Sequence, residues 1–262
     1  MHLSVIIGVL ALATLYVWVA SVLRRRITPG QWGAFGAALA TIVVALNGPI
    51  DTWADDRLFT AHMAQHLLLS MVMPPLLLLG IPSWMLRPLL RVPALRATAR
   101  VVTNPLVAFA IYNGFLILMH TPPVFERMVR DEDVHIALHL ALMATGTVMW
   151  WPVVSPLPEL PRLSYPAQML YLFVLMIPMA AVSAPITLGP EVIYPWYLEG
   201  PHPFGMNPLT DQVVGGLLMW IGAGTYLLGV YTVIFFRWAR RDDCDEPPVR
   251  EPFARTSRLQ VS

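Results

Sequence analysis

Seven apolar stretches, at residues 3–23, 32–49, 58–81, 104–120, 134–154, 166–188 and 211–236, constrain this chain more than any other feature of its sequence. The hydrocarbon core of a bilayer is about 30 Å thick, and roughly 20 apolar residues of helix cross it. Inside that layer every backbone N–H and C=O needs a partner within the protein, and for single stretches of this length only the α-helix supplies one. Charged residues make up 13% of the 262, about half the share in a soluble domain. The expectation is an all-α integral membrane protein: a bundle of about seven transmembrane helices over residues 1–236, then a disordered cytoplasmic tail at 237–262. The first stretch is followed, not preceded, by Arg24, Arg25 and Arg26. That order is the reverse of a signal peptide, so a retained first span is expected. Pro74-Pro75, Pro178 and Pro185 fall inside spans three and six and predict kinks.

Orientation follows from the basic residues. There is no Lys, and fourteen of the seventeen Arg fall in alternate loops on one side: 24–26, 87–100, 162 and the tail from 237. Arg57, Arg127 and Arg130 are on the other side. This places the N-terminus outside and the C-terminus in the cytoplasm. The acids show the opposite bias: Asp51, Asp55, Asp56, Glu126, Asp131, Glu132, Asp133, Glu191, Glu199 and Asp211 all fall outside. Most of them read as solvated loops and helix N-terminal charges.

With depth fixed in this way, the seven histidines lie in the outer half of the bundle or in outer loops. His62 and His66 share one stripe of span three, because i and i+4 sit one helical turn apart. His135 and His139 repeat the pattern on span five, with Leu142 and Gly146 on the same stripe. His120 ends span four, while His202 and His2 lie in outer segments. Ionisable side chains inside a span are costly, which makes them a functional-site hypothesis by default. The plainer alternative is that such a pair sits in interfacial water and caps a seam between helices. The single cysteine, Cys244, leaves metal chemistry to His, Met and carboxylate. Imidazole suits Cu, Zn, Fe and Ni, and thioether favours Cu(I). Met63, Met119 and Met206 neighbour histidines, although packing is the commoner role for methionine in so apolar a chain. The candidate metal ligands are therefore His62, His66, His120, His135 and His139. Gln65, Asp211 and Gln212 are candidates to orient them from behind; for Asp211 helix capping is the commoner role. Trp53, Trp150, Trp151, Trp196, Tyr194, Tyr197 and Trp238 near span ends read as interfacial belts.

Other function classes find no support. No serine sits in a strand–turn–helix elbow, no glycine-rich phosphate loop is present, and a net charge of +1 gives no sign of nucleic-acid binding. An enzyme is not expected.

The segments AHMAQHLLLSMVMPPLLLLGIP, VHIALHLALMATGTVMWWPV, TLGPEVIYPWY and DQVVGGLLMW, in that order, resemble the CtaG family of caa3-type cytochrome c oxidase assembly factors, the multi-span type. The resemblance runs from about residue 45 to 236. It implies a bacterial plasma-membrane, multi-pass protein needed to assemble an active haem–copper oxidase, with the oxidase subunits and the lipid bilayer as partners. Its pattern covers His62, Gln65, His66, His120, His135, His139, Asp211 and Gln212. Joined to the histidine reading, it leads to an expected copper cargo, Cu(I) favoured, passed to the nascent oxidase. Two alternatives stay open: a metal-free scaffold for oxidase subunits, and a b-type haem protein with one axial histidine each from spans three and five.

Overall fold

The computed structural model describes residues 3–199 and 202–245. His2 and residues 246–262 of the expected tail lie outside the described residues. Among those described, every regular element is a helix and no strand occurs.

Helix α1 (Leu3–Val22) is exposed along nearly its whole length, and Tyr16 is its one buried residue. The Tyr16 ring stacks on Phe35 at 3.9 Å, and its hydroxyl donates to the carbonyl of Gly80 at 2.8 Å. Helix α2 (Pro29–Asn47) begins at a reciprocal cap, with the Thr28 hydroxyl on the N–H of Gln31 and the Gln31 side chain on the N–H of Thr28. A short α3 (Pro49–Asp55) leads into α4 (Phe59–Leu67), a π-helical turn at Leu68–Val72 and α5 (Met73–Gly80).

The expected kink at Pro74-Pro75 takes the form of this wide turn, and Phe59–Gly80 stays one rod. The two prolines lack N–H groups, so the carbonyls of Ser70 and Met71 lose their usual donors. Trp150 Nε1 donates to the Ser70 carbonyl at 3.1 Å and replaces one of them. Trp150 is fully buried. It belongs to the core, not to an interfacial belt, and so do Tyr194 and Tyr197.

After α6 (Ser83–Leu86) and a 3-10 turn (Arg87–Arg91) comes α7 (Pro93–Val102), with no buried residue and bent by 74° from α8 (Pro105–Met119). The break is local in origin. Pro105 holds the preceding Asn104 in extended backbone, and the Asn104 side chain caps α8 through the N–H of Leu106 at 3.0 Å. The chain continues through α9 (Pro122–Arg130), α10 (Glu132–Trp150) and α11 (Tyr165–Leu188). Two 3-10 turns, Pro195–Leu198 and Pro203–Gly205, lead to α12 (Pro208–Leu217), a second π-helical turn at Leu218–Gly222, and α13 (Ala223–Asp245). Pro178 and Pro185 are absorbed inside α11, which runs through both. Helix α13 passes residue 236, where the sequence placed the end of the last span.

Five helices or composite rods are long and apolar enough to cross a membrane, or six if α7 and α8 together form one broken span. Helix α10 is not among them, because Glu132, Asp133, His135 and His139 occupy its first turns and dilute its hydropathy. The Phe59–Gly80 rod is the central one: 61% of it is buried, against 6–39% for the other four. Two glycines let its neighbours approach. A Cβ on Gly146 of α10 would lie 3.1 Å from both the Cα and the carbonyl oxygen of Ser70. One on Gly215 of α12 would lie 2.4 Å from the Phe59 ring. The central rod therefore meets α10 backbone to backbone at Ser70, and packs its Phe59 ring on the backbone of α12.

Candidate metal centre

Two helices present their histidine pairs to each other. On α4 the His62 and His66 rings are 4.4 Å apart between centroids, and on α10 those of His135 and His139 are also 4.4 Å apart. Across the interface His62 lies nearly parallel to His135 at 5.3 Å, and His66 meets His139 edge-on at 5.3 Å. His120, at the C-terminal end of α8, completes the group 5.8 Å from His66. All five histidines singled out in the sequence thus fall in one cluster. His202 makes no ring contact with it among the described residues, and Met63 turns toward Gly215 on α12. The close approach at Gly146, two turns along α10 from His139, sets the spacing between the two pairs.

His62, His66, His120 and His139 are each at most 7% exposed. The Nε2 atoms of all four, and Nδ1 of His66 as well, are buried without a hydrogen-bond partner among the described residues. Leaving one buried polar atom unsatisfied costs about 1–3 kcal/mol, so a concentration of them in one place marks a candidate binding site. One nitrogen each of His62, His66 and His139 fall within 4.8 Å of one another. Imidazole nitrogens bind a first-row ion at about 2.0–2.1 Å, so three of them spread evenly around one ion are about 3.5 Å apart. A contraction of up to about 1.3 Å, within reach of side-chain rotation, closes the set. At His120, Nδ1 contacts the Leu116 carbonyl at 2.8 Å. A carbonyl only accepts, so the proton sits on Nδ1 and the buried Nε2 keeps its lone pair, the arrangement that commonly prepares a ligating imidazole. The donor set fits a metal ion.

An aromatic layer closes the cluster on one side. Phe125 of α9 lies 5.4 Å from His62 and 6.3 Å from His120, and stacks on Tyr194 at 3.9 Å. The Tyr194 hydroxyl donates to the His120 carbonyl at 2.9 Å. Burial pushes the Tyr197 hydroxyl well above the usual phenol range, which keeps it neutral. Over this layer the 195–199 segment is clasped. Arg57 and Arg130 lie 4.1 and 5.1 Å from the Trp196 ring centroid, Arg57 donates to the Glu199 carbonyl, and Arg130 pairs with Glu199 at 2.7 Å. Those Arg130 hydrogen bonds hold the Glu199 carboxyl below its ordinary range. Sequence reading missed the aromatic layer. Its one signal was the placing of Phe125 between His120 and His135.

The three residues expected to orient imidazoles do other work. Asp211 caps the helix that carries His62 and His66: its carboxylate accepts from the backbone N–H of Phe59 at 2.6 Å and of Thr60 at 2.9 Å. Capping was the commoner role for it, but the helix capped is α4, not its own. Gln65 donates to the Ala45 carbonyl at 2.9 Å and to Asp51 at 3.1 Å, tying α4 to α2 and α3. Gln212 gathers the loop after α11 by donating to the carbonyls of Ile186 and Glu191 and accepting from the N–H of Ile193. In each case a backbone group without a helical partner shares a hydrogen bond with the side chain.

Beside the cluster runs a cavity of about 1110 Å³ between α1, α2, α5 and α10. Its wall is apolar along most of its length. At one end it is polar, lined by Asp51, Asp55, Arg130, Glu132, His135 and His139.

An all-helical bundle with membrane-length apolar rods and a buried imidazole cluster defines a class of helical membrane-type bundles with a candidate metal site in the core. The comparison with known families is more specific: the chain belongs to the cytochrome c oxidase caa3 assembly factor family, whose profile matches residues 14–241. Membership supports a role in oxidase assembly. Among curated proteins the chain is 27% identical over 204 residues to uncharacterized proteins of Mycobacterium bovis and Mycobacterium tuberculosis, covering 71% of this chain and 31% of theirs. It is 24% identical over 267 residues to an uncharacterized protein of Mycobacterium leprae, covering 90% of this chain and 39% of that one. The chain thus spans about a third of the length of these relatives. No solved structure matches.

Proposed function

We infer that this protein carries copper for the assembly of a caa3-type cytochrome c oxidase, with Cu(I) favoured. His62, His66 and His139 hold the ion and His120 and His135 flank it. The observation that carries this reading is the group of buried imidazole nitrogens without partners, brought within 4.8 Å of one another by two helices. Copper is the cargo here. A haem–copper oxidase needs it in its catalytic subunit, and a three-imidazole site is under-coordinated enough to release it by ligand exchange. Family membership favours such an assembly role over catalysis.

In this reading α10, despite its polar start, is the fifth of seven spans in the plasma membrane, with the N-terminus outside. The loop contacts support that arrangement. Arg87 bonds Glu159 at 2.9 Å, joining two loops assigned to the cytoplasm, while Arg57, Glu126, Arg130 and Glu199 meet at the other end. The haem alternative fits the packing poorly. Between His62 and His139, 5.9 Å apart, the rings of His66 and His135 fill the space that a macrocycle would need.

The test is oxidase assembly in a strain carrying His62→Ala/His66→Ala. The account expects the variant to remain in the membrane while oxidase activity and oxidase copper are lost. Normal oxidase activity in that strain would remove the copper role and leave a scaffold.

A further inference from the structure

Residues 82–103, between the central rod and α8, hold four arginines and no acid. Arg87 is paired with Glu159. Arg91, Arg96 and Arg100 are exposed, and none of the three has an ion-pair partner among the described residues. Arg96 and Arg100, four residues apart, share one face of α7. Ala94, Leu95, Thr98, Val101 and Val102 lie within about 60° of the opposite direction, at 3.6 residues per turn. That face is uncovered: α7 has no buried residue, and Leu95 and Val101 are 47% and 58% exposed. Leu89 and Val92, just ahead of the helix, are 52% and 48% exposed. The axis of α7 is bent by 74° from that of α8. With α8 a span in the arrangement proposed above, α7 runs close to the membrane plane. Standing upright would carry both arginines into hydrocarbon, where charge is costly. Lying flat sinks the apolar face and leaves the guanidinium groups at the level of the headgroups.

We propose that α7 is an in-plane membrane anchor: its apolar face enters the boundary between headgroups and acyl chains on the cytoplasmic side, and Arg91, Arg96 and Arg100 bind the phosphates of anionic lipids. The charge pattern selects this occupant. A guanidinium matches phosphate geometry bidentately, and a stretch without acids offers an anionic surface nothing to repel. The exposed leucine and valines opposite suit acyl chains, and the two faces together make the pattern of a helix that lies in the interface. The anchor also bears on the metal centre. A surface-bound α7 sets the depth of α8 through the capped turn at Asn104, and α8 ends at His120. The inference rests on the proposed arrangement for α8 as a span and for the leaflet, and it is independent of the copper reading.

The test is spin-label depth measurement on the full-length protein, with Cys244→Ser as background, in vesicles of phosphatidylcholine with and without phosphatidylglycerol. A label at Leu95→Cys is expected about 5–10 Å inside the headgroup boundary, and one at Arg96→Cys on the aqueous side. Phosphatidylglycerol is expected to raise the ratio of immersed to aqueous Leu95 label by about fivefold for each arginine. Arg91→Gln/Arg96→Gln/Arg100→Gln, all at exposed positions, is expected to abolish that rise. A Leu95 label at the bilayer centre would make α7 part of a broken span, and labels in water on both faces would leave it to a soluble partner; either overturns the anchor. An immersed fraction equal with and without phosphatidylglycerol would overturn the anionic-lipid site. Failure of the proposed arrangement is seen separately, as a water-exposed label at Ala110→Cys on the exposed side of α8.

Discussion

Asp211 holds Thr60 by both its backbone and its side chain: one carboxylate oxygen accepts from the Thr60 N–H at 2.9 Å and from its hydroxyl at 2.6 Å. Because Asp211 belongs to α12 and Thr60 opens α4, the last rod of the bundle fixes the start of the helix that carries His62 and His66. The first N–H groups of any helix lack intrahelical partners, and here a buried carboxylate from 151 residues away supplies them.

Asp211→Ala is expected to destabilise the protein by about 2 kcal/mol, the scale of a lost cap with its donors left buried. Asp211→Asn, which keeps one acceptor oxygen, should recover part of that. Thermal unfolding in detergent, run with and without copper, reads both effects. If Asp211→Ala leaves the midpoint unchanged, the cap contributes nothing.

The spacing of the two histidine pairs depends on Gly146. Gly146→Leu places a branched side chain where even a Cβ would be 3.1 Å from the Ser70 backbone. It is expected to push α10 off the central rod and cut copper affinity by at least about tenfold, the scale seen when the residues supporting a ligand are lost. Gly146→Ala, needing only a few tenths of an ångström of movement, should give a smaller loss. Equal affinity in wild type and both variants would show that helix spacing does not set the site.

The clasp over the aromatic layer should depend on pH. The folded-state pKa of Glu199 is depressed by Arg130, so its contribution is complete above the unfolded value of about 4.3. It is lost as pH falls from there through the lower folded value. Hydrogen exchange of the 194–199 segment should accelerate in that window. Glu199→Gln should exchange fast at neutral pH already and lose the acid dependence. A segment equally protected in Glu199→Gln at pH 7 would contradict the clasp.

Metal loading should stabilise the fold. A ligand at a hundred times its dissociation constant contributes about 2.7 kcal/mol if it binds only the native state. Addition of a Cu(I) chelator to loaded protein is expected to lower the unfolding midpoint of wild type and leave His62→Ala/His66→Ala unmoved. A chelator shift of the same size in the variant would place the stabilising metal elsewhere.

The helical class and the five clustered histidines were legible in the sequence, because hydropathy and i, i+4 spacing are local. Whether His62 faces His135 was not, since helix rotation is decided by contacts such as Gly146 on Ser70 that join positions 76 residues apart in the chain. The same limit explains the misread Trp150, Tyr194 and Tyr197. A tryptophan at a span end resembles an interfacial anchor until the carbonyl freed by Pro74 is seen beneath its indole N–H. The roles of Gln65, Asp211 and Gln212 were hidden because their partners, mostly backbone groups, lie on other elements.

The most direct measurement is Cu(I) binding to the purified full-length protein under reducing conditions, with X-ray absorption at the copper edge. The account predicts about one Cu(I) per chain held by three nitrogens at about 2.0 Å, lost in His62→Ala/His66→Ala and in His139→Ala. No bound copper, or copper retained with the same absorption spectrum in those variants, would contradict it.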